Sequence, residues 1–535
     1  MMSRHLTYPS SPQFWLKGLV TLVLILGIFF RFYHIDKKVY WHDEAFASMR
    51  ISGYSGTEVE EQLYDGSVIQ VKDLQKYQSP SPEKDLGDTV QVLTEYAEHT
   101  PLYYLLARFW IQAFGASVAT TRLLSVLISL LALPLVYWLC QELFPNSLTP
   151  WIAIAIISIS PIHVLYAQEA RQYSLWIVLT LLSHAALLYS LRTSKKISWG
   201  IYAITVALGL YVHLLFALVL VAHTVYIISV NINEHNQKIS AYFVSLFLGI
   251  IAFVPWIFAV INNPNRIQRF TTAATSREWI PETLFLVKSW ARNLNNTFFD
   301  FAPSLRYKNP IVGDDYFLII PISVLIVYAM YFLVKKSEKN VYLFVGLITF
   351  VPALVVISLD LFLGGVRSIA FRYLFPSYLG IQLTVAHLFA QKLTSDFSSS
   401  TMKQVWKIIF VTVLSGGIIS CIISSQSDAW WNKFVNYKNP EAARIINQSV
   451  SPLVVSDTYI NGSGSILSLS HLLEPKVRLQ LGNVDRVYKS ISPKISDIFL
   501  FEASPKLRKK LEQEQEDDFE LILRDHNFEL WKSKS

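Results

Sequence analysis

Long apolar runs occupy most of the chain and limit what it can fold into. A helix that crosses the hydrocarbon core of a bilayer needs about 20 mainly apolar residues. Eleven runs approach that length: 15–33, 119–141, 150–167, 173–191, 198–213, 215–230, 240–261, 315–334, 341–360, 372–391 and 405–424. Only 16% of the residues are charged, against about 25% in soluble proteins. The sequence therefore predicts an all-α polytopic membrane protein and argues against a soluble enzyme.

Two segments decide how the spans are counted. The run 15–33 is too long for the apolar part of a signal peptide and lacks a small-residue cleavage site, so we interpret it as a retained first span. The segment 101–115 is apolar but short and contains Arg108, which favours a juxtamembrane helix. If it spans instead, the count is twelve and every later segment is inverted; thirteen spans also remain open.

The distribution of basic residues predicts the orientation. Bases collect on the cytosolic side of membrane proteins, and the short segments RTSKK (192–196) and VKKSEKN (334–340) between predicted spans carry three lysines or arginines each. Placing both inside puts the N-terminus in the cytosol and the C-terminus outside. The net charge of +7 then reflects cytosolic anchoring, and no nucleic-acid partner is expected.

Three segments face outward in this topology. The first outer loop, 34–100, has a net charge of −7, and a second one covers 262–314 with an amphipathic stretch from Leu284 to Phe298. From residue 425 the composition becomes soluble, with strand-like and helix-like stretches in alternation. The sequence predicts a transmembrane module over 1–424 and a small α/β outer domain over 425–535.

The first candidate site follows the first span, in the segment VYWHDEAFASMR (39–50). Asp43 and Glu44 stand there beside His42. A solvated helix start is the alternative, since acidic residues favour helix N-termini. Because apolar residues surround the pair, we expect it to face a cavity at membrane level. A carboxylate in such a place serves as a general base or a metal ligand.

Two further outward segments carry candidates for sugar or acceptor binding. In AEHTPLYYLLARFW (97–110) these are His99 and Tyr103, and in LYVHLLF (210–216) it is His213. Ordinary anchoring by interfacial aromatic residues explains the tyrosine equally well. A lone histidine is also often a packed polar residue.

The arginines of the short outer loops are the remaining candidates. SPIHVLYAQEARQYSLW (160–176) contains Arg171, together with Tyr166 and Glu169 as possible sugar or acceptor contacts, and GGVRSIAFRYLFPSY (364–378) contains Arg367 and Arg372. Snorkelling to the interface is the alternative. Arginine binds phosphate through two parallel hydrogen bonds. An acid pair and arginines on one side of a membrane suit displacement of a phosphate leaving group.

The order, spacing and common side of these motifs resemble the GT-C superfamily of polytopic glycosyltransferases over residues 15–425. The most similar branch includes protein O-mannosyltransferases (glycosyltransferase family 39) and the aminoarabinose transferases of lipid A. Its members use sugars carried on polyprenyl phosphate and invert the anomeric centre. The motifs that carry the resemblance are Asp43 with Glu44, residues 99–104, QEARQYSL, LYVHLLF and FRYLFP.

The resemblance implies roles for individual residues. Asp43 is the catalytic base within the acid pair, and Arg171 and Arg372 are candidates for the donor phosphate, with Arg367 nearby. The chain reads EHTP where family members often read HPP, which leaves the role of His99 open.

Three functions remain to be weighed. A glycosyltransferase explains the acid pair and the arginines. A transporter or flippase of lipid-linked sugars would place ionisable residues near mid-bilayer in broken helices, and an assembly subunit leaves Asp43 without a role. The acidic first outer loop contains no HxxE-like or DxD set, so we expect no metal and no cofactor beyond the polyprenyl-phosphate sugar. The acceptor could be a glycan, a lipid or a protein.

Overall fold

A computed structural model of the chain describes residues 14–231, 236–263, 283–302, 316–394, 400–457, 462–482, 497–515, 518–525 and 528–534. Seven of the helices in these ranges are long and apolar enough to cross a membrane: Trp15–Phe32, Val118–Leu143, Tyr173–Thr193, Gln237–Asn262, Phe317–Lys336, Lys339–Leu363 and a segment that begins at Ser400 and is α-helical up to Gln426. An eighth candidate is a pair of helices bent by 58°, Thr149–Ser158 and Pro161–Ala167. The bend falls just before Pro161, which has no amide hydrogen to continue the helix.

The remaining predicted spans are helical but do not meet the same criteria. Lys196–Val212 and Phe216–Val230 are apolar but shorter than 18 residues. Phe375–Thr394 has 20 residues but carries Gln382 and His387 within it. The count of eleven therefore stays a prediction. The segment predicted to lie at the interface forms the 13-residue helix Leu102–Phe114, which at 1.5 Å per residue is too short to cross a bilayer.

The first outer loop is folded along most of its length. It contains four α-helices, one strand and one short 3₁₀ helix: His42–Ile51, Gly56–Leu63, Val71–Gln75, Leu86–Glu95, β1 (Asp65–Gln70) and Lys76–Gln78. The helix His42–Ile51, here called the base helix, packs against the helix Leu102–Phe114 and against the C-terminal segment. These contacts place the Asp43 motif between the helix bundle and the tail.

Two other predicted segments are partly described. In the second outer loop the amphipathic stretch forms the helix Thr283–Asn296, and residues 264–282 and 303–315 lie outside the described part. Arg372, expected at the start of a helix, lies instead in the 3₁₀ turn Phe371–Tyr373, which follows the turn Arg367–Ile369. The helix starts later, at Phe375, which places the following proline in the first helical turn, where a missing amide hydrogen costs nothing.

The C-terminal segment folds around a six-stranded sheet. Its strands are β2 (Pro452–Ser456), β3 (Arg478–Gly482), β4 (Asp497–Phe501), β5 (Phe519–Asp525) and β6 (Phe528–Ser533), and its helices are Trp431–Asn436 (3₁₀), Asn439–Gln448, Ser463–Leu469 and Pro505–Gln515. The strand order is β1-β3-β2-β4-β6-β5. The central strand β2 pairs in parallel with β3 and β4, and the other pairs are antiparallel.

One edge of this sheet comes from the other end of the chain. Strand β1 belongs to the first outer loop and pairs with β3, with Ile69 opposite Leu479. The sequence analysis had assigned that loop to the transmembrane module. The loop and the tail therefore share one sheet, and the tail lies directly above the base helix.

Candidate active site

The N-terminus of the base helix is stabilised by its own first turn and by one distant segment. Its first turn carries Asp43 and Glu44, and acidic side chains are favourable there because the helix dipole is positive at that end. The Glu44 carboxylate reaches back to the Trp41 amide at 3.4 Å. The His42 amide donates to the Asn436 side-chain oxygen at 2.6 Å. Amides that lack partners inside the helix are thus satisfied at its N-terminus.

Glu44 is fully buried and bound on both carboxylate oxygens. Arg122 donates to it twice, at 2.8 and 2.7 Å, Lys433 donates at 2.8 Å, and the Ala170 amide donates at 2.9 Å. Burial opposes its ionisation, but the two cations outweigh that effect and lower the pKa of Glu44. No oxygen remains for a substrate. In this structure Glu44 anchors the loop because its neighbours enclose it, and a catalytic role for Glu44 stays a prediction from the sequence.

Asp43 lies in a different environment one residue earlier. Its side chain keeps 23% of its surface exposed, and one oxygen lies 3.4 Å from Arg372 Nη1. Arg171 donates to the main-chain carbonyl of Asp43 at 3.1 Å. Burial favours the neutral acid, yet the charges of Arg372 and Arg171 prevail and lower the pKa of Asp43. Asp43 is therefore an ionised and accessible carboxylate.

Two arginines at this carboxylate leave an excess of positive charge. The guanidinium of Arg372 lies over the rings of Trp41 and Tyr373, at 5.9 and 5.4 Å from their centroids. Arg171 is almost completely buried, and its Nε has no hydrogen-bond partner. An unpaired donor in a buried cation suits a ligand with strong acceptor oxygens, such as a phosphate.

Arg367 is not brought to this cluster. Its guanidinium contacts Asp360 at 3.1 Å and the Gly364 carbonyl at 2.8 Å, while the other Asp360 oxygen accepts from the Ser368 amide at 2.6 Å. Arg367 thereby ties together the turn that leads to Arg372. The Asp360 carboxylate pairs with the charge of Arg367, and phosphate binding by Arg367 stays a prediction from the sequence.

Two of the predicted histidines join the cluster. His99 lies beside Tyr104, with ring centroids 5.9 Å apart, and burial together with the charges of Arg50 and Arg171 lowers its pKa well below the ordinary value. The His213 ring stacks on Trp176 at 4.1 Å. His213 Nδ1 accepts from the Leu215 amide, so in a neutral ring Nε2 carries the proton and can donate.

The third histidine, His42, lies on the base helix. Its ring meets Phe46 edge-on at 4.6 Å, and its Nδ1 has no hydrogen-bond partner. Burial outweighs the neighbouring carboxylate and lowers its pKa. His42 is therefore a neutral side chain with an unused hydrogen-bonding atom beside Asp43.

The other predicted contacts are more enclosed. Tyr103 is fully buried, and its hydroxyl bonds to Ser125 at 2.8 Å. Tyr166 packs edge-on against two aromatic rings and is almost completely buried. Glu169 accepts from Asn432 at 2.9 Å, and burial raises its pKa to about 7 although Lys433 opposes the shift. These three side chains are packed within the protein and surround the site without being accessible to a ligand.

Four residues of the site escaped the sequence analysis: Arg50, Tyr104, Arg122 and Lys433. Two of them left a signal. Arg122 is a charge inside an apolar run, which is costly in a membrane and calls for a partner. Arg50 follows Asp43 by seven residues, two helical turns, and so lies on the same helix face. Nothing in the sequence around Lys433 points to the first loop.

The cluster offers the groups for displacing an anionic leaving group. It presents one ionised carboxylate, two arginines, and further polar atoms that have no hydrogen-bond partner among the described residues: Arg50 Nε, Glu98 Oε2 and Tyr104 OH. Within the described ranges, no three histidine, cysteine, aspartate or glutamate side chains converge into a metal-binding group.

Comparison with known proteins agrees with the motifs. Residues 98–258 match the family model of dolichyl-phosphate-mannose-protein mannosyltransferases. The fold is similar to that of the apo oligosaccharyltransferase of Archaeoglobus fulgidus, with a TM-score of 0.51 and 12% identity over 88% of this chain. This chain covers 65% of that protein's length. No curated protein sequence matches the chain.

A second solved structure is similar over nearly its whole length. ArnT from Cupriavidus metallidurans, bound to undecaprenyl phosphate, has a TM-score of 0.50 and 12% identity. The similarity covers 97% of this chain and 98% of that one. The sequence resemblance to protein mannosyltransferases is thereby confirmed over residues 98–258, and the two solved structures show a similar fold for the chain.

Proposed function

We propose that the chain is an integral-membrane inverting glycosyltransferase. It transfers a sugar, a hexose or a pentose, from a polyprenyl-phosphate donor to an acceptor hydroxyl on the extracytoplasmic side. The observation that carries this proposal is the contrast between two adjacent acids. Glu44 is enclosed by cations, whereas Asp43 is ionised, accessible and 3.4 Å from Arg372.

The reaction follows from this arrangement. The Asp43 carboxylate takes the proton of the acceptor hydroxyl while the acceptor oxygen attacks the anomeric carbon. The bond between that carbon and the phosphate oxygen breaks, and polyprenyl phosphate leaves with the bonding electrons. Attack from the face opposite the phosphate inverts the anomeric centre.

Arg372 and Arg171 stabilise the leaving group. Negative charge grows on the phosphate as its bond breaks, and guanidinium groups already in place stabilise it in the transition state. A phosphate that is held in this way needs no proton from a general acid. The unpartnered Nε of Arg171 is one donor that the phosphate would engage.

Neighbouring polar atoms suit the sugar. His213 Nε2 and Tyr104 OH can donate to sugar hydroxyls, and Glu98 Oε2 can accept from them. That ArnT of C. metallidurans binds undecaprenyl phosphate supports a polyprenyl carrier here. The fold similarity favours this proposal over a transporter or flippase of lipid-linked sugars.

The test is transfer from a lipid-phosphate donor in membranes. A panel of radiolabelled polyprenyl-phosphate sugars is incubated with membranes that contain the protein, and the labelled product is analysed by mass spectrometry. We expect Asp43→Asn to abolish transfer while the protein still inserts and folds, because an amide cannot accept the proton. The exposed Asp36 provides a matched control, Asp36→Asn, which should keep wild-type turnover. Unchanged turnover in Asp43→Asn would refute the mechanism.

A further inference from the structure

The C-terminal segment contacts the base helix on both sides of Asp43. The residue before Asp43, His42, donates its amide to the Asn436 side chain at 2.6 Å. The residue after it, Glu44, accepts from Lys433 at 2.8 Å. Both partners belong to the short 3₁₀ segment Trp431–Asn436, which is kinked at Lys433 and is here called the tail turn. The backbone of Asp43 is therefore held between two contacts from one turn.

The tail turn also reaches the segment that carries Arg171. Glu169 Oε1 accepts from Asn432 at 2.9 Å and lies 3.4 Å from Lys433 Nζ. Lys433 is 1% exposed, so its charge is balanced by the two carboxylates rather than by water. Lys433 thus connects the base helix to the loop that carries Arg171.

The tail turn is itself fixed. The indole groups of Trp430 and Trp431 both donate to Asp300 Oδ2, at 2.8 and 2.7 Å. At its other end, Asn436 donates to the Ser465 hydroxyl at 2.9 Å. These contacts fix both ends of the tail turn, so the residues that bind the base helix are themselves held in place.

We propose that the tail turn is part of the active site, and that Lys433 and Asn436 are positioning residues that hold the Asp43 carboxylate beside Arg372. The proposal rests on the proposed transferase function. It gives the C-terminal segment a role in the reaction although none of its residues touches the reacting atoms. The base is then competent only when the first loop and the tail are assembled.

The test compares two asparagines of the same segment in the full-length protein. Asn436→Ala removes the acceptor at the base helix, whereas the equally buried Asn439 bonds only within the tail, to Ser465 and Ser468. In Asn436→Ala we expect kcat to fall about tenfold or more, since small displacements of a reacting group are costly. The KM for the donor should change less than twofold, and Asn439→Ala should keep the wild-type kcat.

The pH profile separates positioning from simple destabilisation. The charged and titratable groups that act on Asp43 come from its own helix and from the elements packed against it: His42, Arg50, Tyr104, Glu169, Arg171, Tyr173 and Arg372. If Asp43 moves away from Arg372, the acidic limb of the rate profile shifts to higher pH in Asn436→Ala. Equal losses in both asparagine variants, with unshifted profiles, would overturn the proposal.

A lysine pair provides the second comparison. Lys433→Met should lower kcat and Lys433→Arg should restore most of it, because arginine keeps the charge between the two carboxylates. Hydrogen–deuterium exchange of residues 42–45 supplies a readout that needs no turnover, and it should quicken in Asn436→Ala but not in Asn439→Ala. Unchanged exchange contradicts the positioning role, whereas a wild type without transfer activity contradicts the proposed function.

Discussion

Adjacent residues of the same chemical type take opposite parts in this protein. Glu44 meets two cations and two amides and has no surface left, whereas Asp43 keeps 23% of its side chain exposed. Removing a partner from a buried ion pair costs about 3–5 kcal/mol, so the Glu44 cluster is expected to hold rigidly. That rigidity benefits Asp43, because a base held in place loses no entropy in the reaction.

The two neighbouring arginines, Arg367 and Arg372, provide a matched test of phosphate binding. We expect Arg372→Ala to raise the KM for the polyprenyl-phosphate donor by about tenfold or more, the value of a charged hydrogen bond. The KM for the acceptor should change little. Arg367→Ala should raise the KM for the donor less, since Arg367 forms an ion pair with Asp360. Equal effects on donor and acceptor in Arg372→Ala would argue against a phosphate role.

The substitution Arg372→Ala should also shift the pH dependence of the reaction. Asp43 acts as a base only when ionised, and its pKa lies below the ordinary value because Arg372 and Arg171 overcome the effect of burial. In the wild type, activity should therefore persist on the acidic side to below about pH 4, the ordinary aspartate pKa. Loss of the Arg372 charge raises the pKa of Asp43, so the acidic limb of kcat/KM should move to higher pH. If the acidic limb of kcat/KM stays in place in Arg372→Ala, the charge of Arg372 does not lower the pKa of Asp43.

At the scale of elements, the base helix depends on a close contact with a helix of the tail. Gly464 lies in Ser463–Leu469, and a Cβ there would stand 2.5 Å from His42 Nδ1 and 2.6 Å from the Phe46 ring. Only glycine allows the two helices to approach this closely. The contact is visible in neither segment alone.

Substitution of this glycine should therefore separate the helices. We expect Gly464→Ala to lower stability by about 1–3 kcal/mol through overpacking and to reduce kcat, because the base helix must shift. Gly200 is the control: it lies in Lys196–Val212 with nothing within 4 Å of an added Cβ, so Gly200→Ala should leave both quantities unchanged. Thermal unfolding in detergent and the transfer assay measure the two effects. Wild-type behaviour of Gly464→Ala would contradict the close packing.

The sequence predicted elements better than it predicted spans. The amphipathic stretch and the short interfacial helix appear where hydrophobic patterning placed them. Two predicted spans are shorter than 18 residues, and a third, Phe375–Thr394, carries polar residues within it. Apolar runs show that a helix is removed from water, but a helix packed against other helices and a helix in lipid have the same sequence pattern.

At the scale of the whole molecule, the first outer loop and the C-terminal segment form one sheet. Strand β1 of the first outer loop completes the edge of the C-terminal sheet beside β3. Two segments that share backbone hydrogen bonds must lie on the same side of a membrane. The shared sheet therefore requires the base helix and the tail to face one compartment.

The side itself is a prediction from the basic residues. A cysteine added after residue 535 should react with a membrane-impermeant maleimide in intact cells, whereas Lys195→Cys should react only after permeabilisation. The natural cysteines, Cys140 and Cys421, are both buried and should contribute little background. The opposite labelling pattern would invert the predicted orientation.

The sequence by itself determined the membrane class and the order of the motifs, and it indicated Asp43, Arg171 and Arg372 as candidates, because hydrophobic runs and charge placement are local properties. Only the tertiary structure decided which acid of the pair is accessible, and that Arg367 is held by Asp360. It alone revealed Lys433 at Glu44, 389 residues away along the chain. Contacts between distant segments depend on how the helices and the sheet pack, and no local pattern records them.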